Sequence, residues 1–457
     1  MLAIWVGKIV ERLLLLMGRR ATSLPGKIAL RLSRHLLAKL GRQLERCVIV
    51  TGTNGKTTTS SLLSEILKTE GPIISNAEGA NMEQGLVSAL LHHCGWFGRL
   101  KSKTAVLEID EATLPLVASS LPIKIAVVTN VFRDQLDRYG ELDSTMDKLL
   151  EGLRATTATV VLNGDDPLAR HIGLHCGNPT LYFSLDKSHA QTSVRDQIRD
   201  GGFCLECGAP LQYDAFFYGQ LGLYKCPNED FFRPHPDFSG RFDGERLLIQ
   251  EEGQPEASFM VPVRGVFNLY NLLAAIAAAR AFGLSREQIN TGLTRFQAPL
   301  GRMQVFQTTP VSILNLIKNP TGCDSVLQAI VQEPREKVLC IAINDLAADG
   351  RDVSWLWDAD FELIAENETD FAACIVTGLR AEDMAIRLKY AGYPTERIRV
   401  APNLETGLAQ GFEEAEQFGN LQLYVVTTYT ALYPAANYLS RRPLAREQSA
   451  QDCASVS

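Results

Sequence analysis

Thr51-Gly52-Thr53-Asn54-Gly55-Lys56-Thr57-Thr58 is the stretch of this sequence best suited to chemistry. It directly follows the β-rich run Val48-Ile49-Val50 and precedes a helix-compatible stretch. A glycine-containing turn between strand and helix aims backbone N–H groups at a phosphate, and the helix N-terminus adds the positive end of its dipole. In that setting Lys56 reaches the β- and γ-phosphates and the Thr57 hydroxyl ligates Mg²⁺. Gly52, Thr53, Asn54, Gly55 and Thr58 complete the nucleotide-binding set. The spacing is shorter than that of an ordinary P-loop, because Val50 rather than glycine stands five positions before Gly55.

A second group is Cys204, Cys207 and Cys226, close together in a chain with ten cysteines, the other seven of them scattered. A protein of this length does not need disulfides to fold. One tight cluster therefore reads as a metal site in a reducing, cytoplasmic compartment.

The elements that must position these residues follow an α/β pattern. From Cys47 onward, short β-rich runs alternate with helical stretches, among them Thr104-Ala105-Val106-Leu107 and Ile125-Ala126-Val127-Val128. Such alternation implies βαβ units and a mostly parallel sheet. A second alternation begins near residue 311, with apolar runs at Val338–Ile341, Ala373–Val376 and Leu423–Val426, and predicts a separate Rossmann-like domain. Pro299-Leu300-Gly301-Arg302 is the expected hinge. The predicted organisation is an N-terminal helical region (1–45), a central ATP-binding domain (46–300) with an insertion at about 198–236, a Rossmann-like domain (301–440) and a polar tail (441–457). At 457 residues, about three domains are expected.

With 45 basic against 52 acidic residues the formal charge is −7, which argues against a general nucleic-acid binder. No apolar run is long enough for a membrane span. The N-terminus resembles a signal peptide only superficially, because Lys8, Glu11 and Arg12 interrupt it and no small-residue cleavage site follows. Leu2, Trp5, Ile9, Leu13 and Leu16 instead recur at helical spacing, ahead of Gly18-Arg19-Arg20. The first expectation is that this apolar face packs on the body of the protein. The alternative is a weak contact with a membrane surface.

The shortened loop T-G-T-N-G-K-T-T resembles that of the Mur ligase superfamily, whose members join an amino group to a carboxylate through an acyl phosphate. Further stretches match in order. Glu108 in LEIDEA resembles the family's Mg²⁺-binding glutamate, and Leu162–Pro167 resembles its L-N-x-D-D-P turn. Asn268 and Asn271 resemble the N-x-x-N pair that contacts ATP, and Gly301-Arg302 the G-R step whose arginine neutralises phosphate. GRRATSLPGKIAL (18–30), NVFRDQLDRYGEL (130–142), KNPTG (318–322), NDLAADGRDVSWLWDADFE (344–362), RAEDMAIRLKYAGY (380–393) and TYTALYP (428–434) are similar to the MurT-type subunit of lipid II isoglutaminyl synthase. The resemblance runs from about residue 18 to about 440.

It implies a P-loop Mur-ligase ATPase with a zinc-ribbon-like insertion, a C-terminal Rossmann-like domain, and the use of ATP and Mg²⁺. The activity implied is phosphorylation of the D-glutamate α-carboxylate of lipid II at the cytoplasmic membrane face, then amidation by ammonia to D-isoglutamine. The chain has no nucleophile elbow around a cysteine and few histidines, so the resemblance implies a separate GatD-type glutamine amidotransferase that supplies the ammonia. In that family the ligase subunit contributes an aspartate to the partner's triad. The candidates are Asp349 and Asp352, with Asp349 the first choice.

Two departures stand out. The family's fourth ribbon cysteine is replaced: three positions after Cys226 stands Glu229, which is expected to take its place if zinc is held, with His235 a further candidate. Gln304 stands where the superfamily often has glutamate, and 315–318 offers no carboxylate for ribose. The competing readings are an amino-acid-adding Mur or folylpolyglutamate-type ligase, and a non-catalytic ATP-binding scaffold for a glutaminase.

Overall fold

The computed structural model describes all residues except 20, 77–79, 134–141, 191–199, 420 and 443–457. The predicted tail beyond 442, most of the stretch 130–142 and the first residues of the predicted insertion fall outside the described residues. The chain divides into two compact units, Met1–Gln297 and Ala298–Ser457.

The strands of the first unit are β1 (Arg46–Thr51), β2 (Ile74–Ser75), β3 (Thr104–Glu108), β4 (Ile123–Val128), β5 (Thr159–Asn163), β6 (Thr180–Leu185), β7 (Gln212–Tyr218), β8 (Leu221–Lys225), β9 (Phe238–Phe242), β10 (Arg246–Glu251) and β11 (Ala257–Met260). Nine of them form one sheet in the order β11-β10-β9-β6-β5-β4-β1-β3-β2. The pairs from β2 across to β9 are parallel, and β10 and β11 continue it antiparallel. Strands buried on both faces need unbroken apolar runs, which is what Cys47–Val50 supplies.

Alternate side chains of these strands enter two different cores. Cys47, Ile49, Ala105, Leu107, Ala126 and Val128 pack with Leu86, Leu90, Leu149 and Ile172 from the helices Glu83–His92, Leu142–Arg154 and Pro167–His175. Val48, Val50, Val106, Ile125 and Val127 pack with the helices Lys56–Leu67, Val266–Phe282 and Arg286–Leu293. The helix Val266–Phe282 is buried nearly all round, which accounts for its alanines. The hairpin β7–β8 forms a separate two-stranded sheet.

The N-terminal helix, Leu2–Leu16, corrects one expectation. Its buried residues are Ala3, Ile4, Gly7, Lys8, Glu11 and Leu14, whereas Leu2, Trp5, Ile9, Leu13 and Leu16 face outward. The apolar stripe therefore does not pack on the body. The physical reason lies in the inward polar pair. Lys8 Nζ donates to the carbonyls of Leu91 (3.0 Å) and Cys94 (2.8 Å), at the C-terminal end of the helix Glu83–His92, and Glu11 Oε1 lies 2.5 Å from His92 Nδ1. Carbonyls at a helix end have no partner within the helix, and a cation placed there satisfies them. Gly7 permits the approach, since a Cβ there would lie 2.7 Å from Leu91 Cδ1.

The second unit contains β12 (Gln304–Phe306), β13 (Ser312–Leu316), β14 (Lys337–Ala342), β15 (Phe371–Thr377), β16 (Ile398–Val400) and β17 (Gln422–Thr427) in the order β12-β13-β17-β14-β15-β16. All neighbours are parallel except β12 and β13. Leu408 and Phe412, from the helix Leu404–Gln417, join the core that β14, β15 and β17 contribute to.

Candidate active site

β1 is flanked by β3 on one side and β4 on the other, and the chain visits β2 before β3. Strand β1 therefore sits where the sheet order reverses, and the crevice beyond its carboxyl end is where open parallel sheets bind ligands. The turn 52–55 occupies that place, between β1 and the helix Lys56–Leu67. Gly52 (φ 109°) and Gly55 (φ 86°) take left-handed conformations that favour glycine. A Cβ on Gly52 would meet Thr129 Oγ1 at 2.5 Å, and one on Gly55 would meet Asn271 Oδ1 at 2.0 Å.

The segment after β4 holds the turn from one side. Thr53 N donates to Asn130 O (2.9 Å), Asn54 N to Asn130 Oδ1 (2.9 Å) and Thr129 Oγ1 to Asn54 O (2.7 Å). Thr53 Oγ1 also exchanges hydrogen bonds with the backbone of Phe132, both at 3.0 Å. From the other side comes the N-terminal end of the helix Val266–Phe282. Asn271 Nδ2 donates to Asn268 Oδ1 at 3.0 Å, and Asn268 Nδ2 donates to Arg264 O at 2.8 Å. The structure thus places Asn271 directly against the phosphate loop, with Asn268 hydrogen-bonded to it.

Lys56 is buried, with its Nζ donating to Gly52 O (2.5 Å) and forming an ion pair with Glu111 Oε1 (2.8 Å). Glu111 is a residue the sequence reading missed. Burial pushes its carboxyl up, and the Lys56 ammonium opposes that shift. Its only signal in the sequence was its place in LEIDEA, three residues after Glu108. Glu108 ends β3 in register with Val50 of β1. Asn81 Nδ2 donates to its Oε1 at 2.9 Å, while its Oε2 is buried and, among the described residues, without a hydrogen-bond partner. Thr57 is the second residue of the phosphate-loop helix and is half-buried; Thr58, which follows, is buried.

The L-N-x-D-D-P turn is a junction. Asp166 caps the helix Pro167–His175 by accepting from Leu168 N (3.0 Å), and also accepts from Val131 N (2.7 Å) and Gln220 Nε2 (3.0 Å). Asp165 accepts from Tyr270 Oη (2.7 Å), Leu185 N (2.9 Å) and Arg233 Nε (2.5 Å). Gln220 lies at the tip of the β7–β8 hairpin, so this turn is the socket into which the hairpin plugs.

Cys204, Cys207, Cys226 and Asp230 bring their ligand atoms within 4.8 Å of one another. Cys207 Sγ lies 3.4 Å from Cys226 Sγ, and Cys204 Sγ lies 3.6 Å from Asp230 Oδ1. The expected fourth group is corrected here: neither Glu229 nor His235 belongs to this cluster. Glu229 adopts a left-handed backbone (φ 58°), and it is the next residue, Asp230, whose carboxylate faces the sulfurs. Glu206, between the first two cysteines, accepts from His171 Nδ1 and His175 Nε2, both at 2.9 Å, and ties this knuckle to the helix Pro167–His175.

In the second unit, Gly301 (φ 72°) precedes Arg302, which is half-buried. Asp349 is buried and committed: it accepts from Thr430 N and Thr430 Oγ1, both at 2.7 Å, and from Leu346 N at 3.1 Å. Asp352 is exposed, and its side chain accepts from Ser354 N at 2.8 Å; the Ser354 hydroxyl first, and this N–H second, hold its carboxyl below the usual range.

A phosphate loop at the point where the strand order reverses, with a buried carboxylate ending the adjacent strand, is the site of an ATP-dependent ligase of the Mur class. The Mur ligase middle-domain family matches residues 50–206. In fold, the chain is similar to a pseudomurein peptide ligase type C from Methanothermus fervidus (TM-score 0.65, 21% identity, 86% of this chain and 78% of that one). It is also similar to a folylpolyglutamate synthase from Mycobacterium tuberculosis complexed with ADP (TM-score 0.59, 17% identity, 90% and 94%). Within that class the chain belongs to the MurT family. The MurT ligase C-terminal family matches residues 316–432. The chain is 35% identical over 442 residues to the lipid II isoglutaminyl synthase (glutamine-hydrolyzing) subunit MurT of Staphylococcus aureus strain COL, covering 96% of this chain and 97% of the relative. Its identity to the corresponding subunit of Streptococcus pneumoniae strain R6 is 35% over 436 residues, 94% of each.

Proposed function

We propose that the chain is the ligase subunit of a lipid II isoglutaminyl synthase, working with a glutaminase partner of GatD type. The observation that carries this reading is the 35% identity to MurT subunits over nearly the whole of both chains. The carboxylate of the D-glutamate in the stem peptide attacks the γ-phosphorus of ATP, ADP leaves, and an acyl phosphate results. Ammonia then attacks the acyl carbon and phosphate departs, leaving the primary amide of D-isoglutamine. Phosphorylation is required because a free carboxylate is inert toward ammonia.

Phosphoryl transfer needs positioning and charge neutralisation more than covalent help from the protein. The N–H groups of the turn 52–55 and the helix N-terminus receive the phosphates. Lys56 exchanges its Glu111 carboxylate for phosphate oxygens as nucleotide enters. Asn268 and Asn271 brace the turn and contact ATP, and Arg302 is the arginine of the G-R step that neutralises phosphate. Thr57 and Glu108 would hold Mg²⁺, and the buried, unpartnered Oε2 of Glu108 fits a cation there. When bound, that ion supplies further neutralisation of the phosphates.

Three thiolates and a carboxylate oxygen are a zinc donor set, so Cys204, Cys207, Cys226 and Asp230 would hold a structural zinc in a ribbon-like insertion. For the partner's triad, the exposure of Asp352 and the commitment of Asp349 to Thr430 favour Asp352 as the carboxylate presented across the interface, where it would fix the tautomer of a histidine.

The decisive experiment is Lys56→Ala, assayed with lipid II, ATP and glutamine in the presence of the partner. Amidation is expected to vanish while binding of the partner persists. Amidation at the wild-type rate would refute the assignment of the phosphate loop.

A further inference from the structure

The N-terminal helix turns its apolar stripe to solvent. Leu2, Trp5, Ile9, Leu13 and Leu16 share one face and are all exposed, Leu16 to 84%. The orientation is fixed rather than incidental, because the opposite face holds Lys8 on the Leu91 and Cys94 carbonyls and Glu11 on His92. Neighbouring elements extend the patch. Phe97, 83% exposed, lies in the turn whose Trp96 carbonyl accepts from Trp5 Nε1 at 2.8 Å. The adjoining helix Leu24–Leu32 leaves Leu24 and Leu32 exposed.

Charge marks the same region. Residues 1–46 carry ten Lys and Arg against Glu11 and Glu45, a formal +8 in a chain whose total is −7. Arg12, Arg19, Lys27, Arg31, Arg34, Lys39 and Arg42 are exposed. An apolar stripe bordered by cations, on a helix of 15 residues, is the pattern of an element lying in a lipid interface. At about 1.5 Å per residue the helix is roughly 22 Å long, short of a hydrocarbon core of about 30 Å. No helix among the described residues is long and apolar enough to cross a membrane.

We propose that this face docks on the surface of an anionic phospholipid bilayer, the helix lying in the headgroup plane with Trp5, Ile9, Leu13 and Leu16 in the acyl boundary and the basic residues on lipid phosphates. Charge selects this occupant over a second copy of the chain, since two faces bordered by these exposed cations repel. The docking gives the proposed function its geometry, because a lipid-linked substrate is presented at that surface, but its test does not depend on that reading.

The test uses the full chain and flotation with vesicles of phosphatidylcholine alone or with about one third phosphatidylglycerol. Wild type is expected to float with the anionic vesicles, to bind pure phosphatidylcholine at least tenfold more weakly, and to be released by high salt. The double variant Ile9→Glu/Leu13→Glu, altered only at exposed positions, is expected to lose at least tenfold in vesicle binding while keeping its circular dichroism and ATP binding. On binding, tryptophan emission should shift to the blue in wild type and not in Trp5→Phe. Equal flotation of wild type and double variant, or no binding to anionic vesicles, overturns the proposal. So does a wild-type dimer that the double variant abolishes, which would put a second copy on the face. Failure here with amidation of detergent-dispersed lipid II intact would leave the proposed function standing.

Discussion

The Lys56–Glu111 pair offers a test of how the phosphate loop holds itself ready. The two groups lie 2.8 Å apart with side chains only 8% and 6% exposed. Glu111→Gln keeps the shape and an acceptor oxygen and removes only the charge. Removing one member of a buried pair leaves the other uncompensated, typically at a cost of about 3–5 kcal/mol. Lys56 retains the Gly52 and Thr53 carbonyls, so the lower end, about 3 kcal/mol, is expected in the absence of nucleotide. At about 2–4 °C per kcal/mol, that corresponds to a loss of roughly 6–12 °C in the Tm of the first unit. A non-hydrolysable ATP analogue with Mg²⁺ brings phosphate oxygens to Lys56 and should narrow the gap to about 1 kcal/mol or less. Scanning calorimetry of both proteins with and without the analogue reads this directly. An equal loss in both conditions, or none in either, would refute the idea that Glu111 stands in for phosphate.

Further outcomes are expected elsewhere in the chain. Metal analysis of the purified protein should find stoichiometric zinc, abolished by Cys226→Ser and reduced by Asp230→Ala but not by Glu229→Ala; zinc loss with Glu229→Ala alone would reverse the ligand assignment. Glutamine hydrolysis by the assembled pair should fall at least a hundredfold in Asp352→Asn with its Tm unchanged, whereas Asp349→Asn should chiefly lower the Tm; the opposite pattern would return the triad role to Asp349. Asp324, in the helix Pro320–Val331, has its carboxyl pushed by burial up to about 7, with Asp360 and Glu362 adding to the shift. Its folded value lies above the unfolded one, so the stability it contributes is present at low pH and is lost as pH rises through about 7. Asp324→Asn should therefore gain about 2–3 kcal/mol on wild type between pH 5 and 8 in urea titrations, and a constant difference would exclude this origin.

The parts of the site that could be read from sequence were those set by neighbours in the chain. The turn 51–58 is legible because strand, glycines and helix follow one another within a dozen residues. The partner of Lys56 was not, because Glu111 lies 55 positions away and only the pairing of β1 with β3 brings LEIDEA beside the loop. The N-terminal helix was legible as a helix, yet the face it buries was not. Periodicity tells which residues share a face, whereas the capping of Leu91 and Cys94 by Lys8, 83 and 86 residues apart, decides which face turns inward. The cysteine cluster was visible by spacing. The choice of Asp230 over Glu229 was not, because it depends on one left-handed residue in the turn.

The socket at Asp165 and Asp166 carries a consequence for how this protein can change. The hairpin reaches the phosphate loop in two short steps: Gln220 and Asp166 hold Val131, and the next residue, Phe132, holds Thr53. The segment 200–236 is therefore a keystone rather than an ornament. Excising it would strip Arg233 and Gln220 from two fully buried carboxylates and loosen the turn that receives ATP. The cysteine cluster can take an acid as its fourth group, as Asp230 is here, so long as the hairpin tip still seats. Deleting the whole segment would cost the phosphate loop its footing in the same event.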